Sequence, residues 1–164
     1  MKESELQIMV ADYLRTRYPK VLFHSDFGSG IKMTKGQAMK QKRQNGGRRG
    51  WPDLFIAEPR TDVGKEVNGK YELTRSHFGT KDNPIEVFNQ PDNELYHIYN
   101  GLYLELKAEG NSPFKKDGTL KKDQHLEEQN EVLNHLREKG YAAYFAVGFE
   151  EAQKLIDDYL GGKR

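Results

Sequence analysis

The segment Gly101-Leu-Tyr-Leu-Glu-Leu-Lys-Ala constrains the fold more than any other. Leu102, Leu104 and Leu106 alternate with Tyr103, Glu105 and Lys107, the two-residue period of a β-strand with one apolar face. The same alternation projects Glu105 and Lys107 from one face, about 7 Å apart by backbone rise. A strand of this kind must be covered, and the flanking patterns are helical. Glu3 to Arg17 sets Leu6, Met9, Val10, Tyr13 and Leu14 at helical spacing, and Lys122 to Lys139 carries a stripe of Leu126, Gln129, Val132, Leu133 and Leu136 ending at Gly140. Tyr141 to Gly148 reads as a buried strand, and Glu150 to Leu160 as a closing helix with Ala152, Leu155, Ile156 and Tyr159 on one side. Val21 to His24 is a short apolar run, Ala38 to Gln44 a helical turn or two, and Trp51 to Ala57 a turn feeding a strand. The expected architecture is α/β, a small mixed β-sheet flanked by helices in the order αβββαβ.

With 164 residues, one domain over 1–164 is expected. Between Glu58 and His97 the pattern gives way to Gly, Asn, Asp and Pro with scattered aromatics, which reads as an insertion at about 58–97. Lys70 to Thr74 and Ile85 to Phe88 are strand-like within it, so a hairpin-like excursion is expected, with Tyr71, Phe78, Phe88, Tyr96 and Tyr99 as a satellite core. Cysteine is absent, which excludes disulfides and thiolate metal sites. No apolar run approaches the ~20 residues of a membrane span, and the first residues are acidic, so a soluble, intracellular protein without membrane contact is expected.

The net charge is only +1, yet Ile31 to Gly50 holds Lys32, Lys35, Lys40, Lys42, Arg43, Arg48 and Arg49 without one acidic residue. Such a local basic field suits a phosphate backbone. Beyond it, Pro52-Asp53 stands before one strand and Glu105-Leu-Lys107 lies within another. Asp53 at the mouth of a neighbouring strand would bring a second carboxylate beside Glu105, a pair of hard oxygen ligands for Mg²⁺ or Mn²⁺. A lysine beside them can orient an attacking water or offset charge on a phosphorane.

These residues resemble the PD-(D/E)XK nuclease superfamily and, within it, the VRR-NUC domain, including small stand-alone nucleases of phages and bacteria. Glu3-Ser-Glu-Leu-Gln7 is similar to the opening helix motif of that family, and Gly47-Arg-Arg-Gly-Trp-Pro-Asp-Leu-Phe-Ile56 to its Pro-Asp strand. Tyr99 to Lys107 resembles its Gly-Leu and Glu-X-Lys strand, Gln129 its helical glutamine, and Gly148-Phe-Glu-Glu-Ala152 its closing turn. One departure is Asp26-Phe27-Gly28, where relatives often carry an Asn-Glu-Gly-like stretch.

The resemblance implies a restriction-endonuclease-like core and a metal-dependent DNA endonuclease. It places Asp53 and Glu105 as ligands of Mg²⁺ (Mn²⁺ as a substitute), Lys107 as the catalytic lysine and Glu3 as the third acid, with Glu5 its competitor. On a helix Glu3, Leu6, Gln7 and Val10 share one face. Gln129 is the expected glutamine of the site, with Gln124 as competitor; Gln7 is a supporting residue and His24 is left outside catalysis. Lys40, Lys42, Arg43, Arg48 and Arg49 are the expected phosphate grips, which position a strand without reading sequence. The resemblance further implies structure-selective cutting of DNA, branched or duplex, in the manner of a Holliday junction resolvase. It also implies a homodimer and a cytoplasmic location, in a bacterium or in the host of a phage. The alternatives are a flap or single-strand nuclease, or a non-catalytic nucleic-acid-binding accessory module.

Overall fold

The computed structural model describes residues 1–26, 34–44, 46, 49–67, 70–78 and 94–161, of which 41–42, 63–67, 70–78 and 94–97 are described for the backbone alone. The elements are α1 (Glu3–Arg17), β1 (Phe23–Ser25), α2 (Lys35–Gln44), β2 (Leu54–Ile56), β3 (Arg60–Val67), β4 (Lys70–Phe78), β5 (Glu94–Tyr99), β6 (Leu102–Lys107), α3 (Gln124–Glu138), β7 (Ala142–Val147) and α4 (Gly148–Leu160). A four-stranded sheet has the order β1-β2-β6-β7. It is mixed, because β1–β2 and β2–β6 are antiparallel and β6–β7 is parallel. The parallel pair needs a crossover, and α3 provides it. Read along that sheet with α1 and α3, the order is αβββαβ, as the sequence predicts.

Each face of the sheet has its own apolar layer. Leu54 and Ile56 of β2 and Leu102, Leu104 and Leu106 of β6 pack with Leu6, Val10 and Leu14 of α1 and with Ala152 and Ile156 of α4. On the other face Val132, Leu133 and Leu136 of α3 close over Ala143 and Phe145 of β7, with Tyr103 partly buried beside them. Fully burying each of these leucines contributes about 1.5–3 kcal/mol. Phe55 and Tyr103, paired across β2 and β6, stack with ring centroids 4.4 Å apart. Met9 departs from the expected stripe: it is 41% exposed, and the inner face of α1 is completed by Gln7 instead. The basic helix α2 is longer than expected, ten residues from Lys35, and α4 begins two residues earlier, at Gly148.

Strands β3, β4 and β5 form a second, antiparallel sheet in the order β4-β3-β5. The strand expected at Lys70 to Thr74 is part of β4, while Ile85 to Phe88 lies outside the described residues. The side chains of Tyr71, Phe78, Phe88 and Tyr96 also lie outside them. Tyr99 packs against the main core, with its ring edge-on to Tyr159 at 6.4 Å. Because β2 and β6 are antiparallel, a short turn would suffice to join them, and the second sheet occupies the place of that turn.

The root of the second sheet is tied to the end of α4. Buried Arg60 donates from Nη1 to the carbonyls of Asp158 and, at 2.9 Å, of Tyr159, while its Nε pairs with Asp62. Its guanidinium also lies 5.7 Å from the centroid of the Tyr159 ring, and the Tyr159 hydroxyl donates to the Glu58 carbonyl at 2.6 Å. The last carbonyls of a helix have no partner within it, and here a buried arginine supplies one. Gly161, at φ 62°, closes the same helix in the left-handed conformation. Arg60→Ala strips the donors from these carbonyls and leaves Asp62 without its cation, so a loss of about 2–4 kcal/mol in unfolding free energy is expected, read by urea denaturation.

Candidate active site

The pairing register assembles the site. Leu54 faces Leu104, Phe55 faces Tyr103 and Ile56 faces Leu102. Continuing that register by one residue sets Asp53 opposite Glu105, within reach of Gln7 on α1 and Gln129 on α3. Side chains opposite each other in an antiparallel pair have Cβ atoms about 4.5–5.5 Å apart. Two carboxylates separated by about fifty residues of chain are thereby brought together, and both are buried.

The hydrogen bonds around them are dense. Asp53 accepts from Gln7 Nε2 at 2.6 Å on Oδ1 and from the Leu106 backbone N–H at 2.9 Å on Oδ2. Glu105 accepts on Oε1 from Lys107 Nζ at 2.9 Å and from Gln129 Nε2. Glu105 Oε2 and Gln129 Oε1 are buried without a hydrogen-bond partner among the described residues. All five side chains, Gln7, Asp53, Glu105, Lys107 and Gln129, are at most 6% exposed as residues.

The competing residues are placed differently. Glu5 accepts from the Lys2 backbone N–H at 2.9 Å and is spent on the start of its own helix. Glu3 turns toward the site, its Oε1 4.0 Å from Lys107 Nζ and its side chain 38% exposed. Gln124 is exposed and bonds Glu128, whereas Gln129 lies on the buried stripe of α3. Asp123 caps that helix, accepting from Leu126 N at 3.0 Å, and so fixes where the stripe begins. His24 is exposed on β1, opposite Phe55. Of the expected phosphate grips, Lys40 and Arg43 are exposed on α2 and Arg49 is exposed just before β2. Lys42 belongs to α2 with its side chain outside the described set, and Arg48 lies outside it altogether.

Gly50 was not among the residues that sequence reasoning singled out for a role. Its φ is 76°, and a Cβ there would lie 2.9 Å from both the Cα and the N of Gln129. The loop entering β2 therefore rests on the backbone of α3 at the residue whose amide holds Glu105. Only glycine combines that dihedral with that approach; its spacing three residues before Asp53 was the available signal.

Burial, and then the negative charge of Asp53, push the Glu105 carboxyl up to about 8, although Lys107 acts in the opposite sense. The site can thus hold a proton on Glu105 near neutral pH, or exchange it for another positive charge. Among the described residues no three His, Asp or Glu side chains form a ready-made metal cage. The donor set nevertheless fits a hard divalent cation. Two buried carboxylates repel each other, one of their oxygens lacks a partner, and Mg²⁺ typically takes one or two protein carboxylates with waters and a phosphate completing the shell.

The raised Glu105 carboxyl makes stability depend on pH. The folded state holds this proton up to about 8, against 4.5 for the ordinary carboxyl, so its contribution is complete below about 4.5 and is lost as pH rises through 8. In chelator, the melting temperature should fall across that interval, and Glu105→Gln should flatten the fall; thermal scans at several pH values compare the two slopes.

No family model matches the chain, and no curated protein matches it. Among solved structures it is similar to one described as a VRR_NUC domain protein, at 20% identity and a TM-score of 0.54, covering 98% of this chain and 89% of that one. The resemblance drawn from the sequence and this likeness of fold agree: the chain has the mixed α/β architecture of a VRR-NUC domain protein over nearly its whole length.

Proposed function

We propose that a protein with this fold and this buried Asp–Glu–Lys cluster is a nuclease, hydrolysing DNA phosphodiester bonds with Mg²⁺ or Mn²⁺. The observation that carries the reading is the unpartnered Glu105 Oε2 beside Asp53, with Lys107 and Gln129 both engaged on the other oxygen. A chain that only bound DNA would have no use for two converging carboxylates, which repel phosphate. A buried pair of this kind is costly unless something compensates it.

Asp53 and Glu105 would hold the cation, which would supply Lewis acidity to the scissile phosphate and a more acidic bound water. Lys107 would offset the negative charge that develops on the phosphoryl oxygens, the electrostatic contribution that usually dominates such reactions. Gln129 would present its free Oε1 to a water proton and so orient the nucleophile; an amide does this without neutralising Glu105. Gln7 would keep Asp53 turned toward its partner. Glu3, half-exposed and near Lys107, would complete the acidic rim rather than share the inner pair.

Lys40, Lys42, Arg43, Arg48 and Arg49 would grip phosphates. Contacts of that kind fix position without reading bases, so cutting would be selective for DNA structure, branched DNA foremost. A four-way junction offers two-fold symmetry, and a homodimer would present two sites to it. A flap or single-strand preference is the second reading.

Two experiments test this. Labelled linear duplex, single-stranded, flap and four-way-junction DNAs incubated with Mg²⁺, Mn²⁺ or EDTA should be cut only with metal. Lys107→Ala should lower the rate at least a hundredfold while leaving binding in EDTA intact; binding without cutting in every metal would leave only the accessory-module reading. Separately, the triple substitution Lys40→Ala, Arg43→Ala, Arg49→Ala should weaken binding across all DNAs. It should also lower the slope of log affinity against log salt by about one per lost phosphate contact, measured by fluorescence anisotropy.

A further inference from the structure

We propose that the hairpin 113–121 is a second phosphate grip, holding the backbone of the DNA strand that lies across the Asp53–Glu105 pair. The inference rests on the nuclease reading above. It concerns the chain between Lys107 and Gln129, the two residues that donate to Glu105 Oε1. The hairpin is short and well tied. Phe114 and Leu120 form an antiparallel bridge, the Lys115 N–H donates to the Thr119 carbonyl at 2.8 Å, and the Lys121 N–H donates to the Pro113 carbonyl at 2.9 Å. Asp117 accepts from the Thr119 backbone N–H at 2.9 Å and from its hydroxyl at 2.6 Å, and Gly118 turns the chain at φ 81°. At the base Pro113 is fully buried, the Phe114 ring lies edge-on to that of Phe145 with centroids 5.7 Å apart, and Leu120 packs into the α3 layer.

That anchorage sets the hairpin beside the carboxylates. Phe145 on β7 is the register partner of Glu105 on β6, and partners across a ladder point to the same face of the sheet. Neighbouring strands lie about 4.8 Å apart, so the Phe114 ring, one ring contact farther on, stands on the order of 10 Å from the Glu105 side chain. Phe114 and Leu120 face the core, and their neighbours Lys115 and Lys121 therefore project the other way. Lys115, Lys116, Lys121 and Lys122 are all exposed, and none of them has an ion pair among the described residues. The two acids of the segment are engaged by the backbone, Asp117 at Thr119 and Asp123 at the start of α3. Exposed cations elsewhere have a local acid instead, as Arg15 has Asp12 and Lys154 has Asp158. Four lysines against two acids leave an excess of positive charge on a rigid base, which suits a polyanion. The polyanion this site handles is a phosphate backbone, and lysine meets it as a point charge that adds affinity without reading bases.

The test changes Lys115, Lys116, Lys121 and Lys122 together, in one variant to Gln and in another to Arg, and follows binding of a labelled duplex and a labelled four-way junction by fluorescence anisotropy in EDTA. The glutamine variant should bind at least about tenfold more weakly at ~0.15 M salt, with the slope of log affinity against log salt lower by about 0.9 per lost phosphate contact. The arginine variant should bind as the wild type does. Unchanged affinity and slope in the glutamine variant, or an equal loss in the arginine variant, overturns the proposal. Should the fourfold glutamine change fail to fold, the pair Lys115→Gln, Lys116→Gln is read in the same way. Position is read with single methylphosphonates, each of which removes one phosphate charge, moved along the strand. The positions at which they weaken wild-type binding but not that of the glutamine variant should lie within about six nucleotides of the cut, the span of some 20 Å of strand. Positions confined to more distant phosphates, or a penalty equal in both proteins throughout, overturn it. Because binding is measured in EDTA, the two readings fail separately. A grip found in a protein that cuts no DNA with any metal retires the nuclease and leaves the grip. Cutting by the wild type, with binding untouched in the glutamine variant, retires the grip alone.

Discussion

The antiparallel register between β2 and β6 is the constraint on which the rest depends. Side chains in a strand alternate with a period of two, so a slip of one residue would send Asp53 to the opposite face from Glu105 and disperse the site. The slip is prevented by the apolar face. Leu54, Ile56, Leu102, Leu104 and Leu106 must all point at α1 and α4 together, and Phe55 must meet Tyr103 on the other side. Core packing and site assembly thus depend on one and the same register of this pair of strands.

That specification explains what the sequence disclosed and what it did not. Leucine alternation in β6, the helical stripe of α3 and the span of α1 were legible because each is a local period. The Asp53–Glu105 pairing was legible only as a possibility, since a register is a long-range property, and the family resemblance rather than spacing gave it a shape. Glu3 against Glu5, and Gln129 against Gln124, could not be separated by composition. They were separated by what each rival does instead: Glu5 caps its own helix, and Gln124 bonds Glu128 in solvent. Met9 was misassigned because helical spacing marks a sector and not its edge. Gly50 was legible as part of the Gly, Gly, Pro-Asp pattern but without a role, because a glycine's role is set by what approaches it, here the backbone of α3.

The second sheet joins the core in a way local patterns could not predict. Two strands that a short turn could connect are instead joined through three further strands, and Arg60 ties the base of that excursion to the last carbonyls of α4. The Tyr159 hydroxyl returns the link by donating to Glu58. The root of the second sheet is thereby fastened to the helix that covers the Leu102–Leu106 face.

The two glutamines show how the charge is handled. A lysine or arginine in place of Gln7 or Gln129 would hold the same carboxylate oxygen more strongly, yet each added cation would cancel a negative charge. The negative charge of the inner pair would then be cancelled. An amide N–H donates a hydrogen bond and adds no charge. Asp53 and Glu105 are thus oriented while the cluster with Lys107 keeps a net negative charge, or a proton in its place. Burial raises the cost of that charge and, for the same reason, strengthens every interaction that later relieves it. The site is unfavourable for the bare fold and favourable for whatever positive charge enters it, and the two apolar layers around the sheet supply the stability that lets such a site persist.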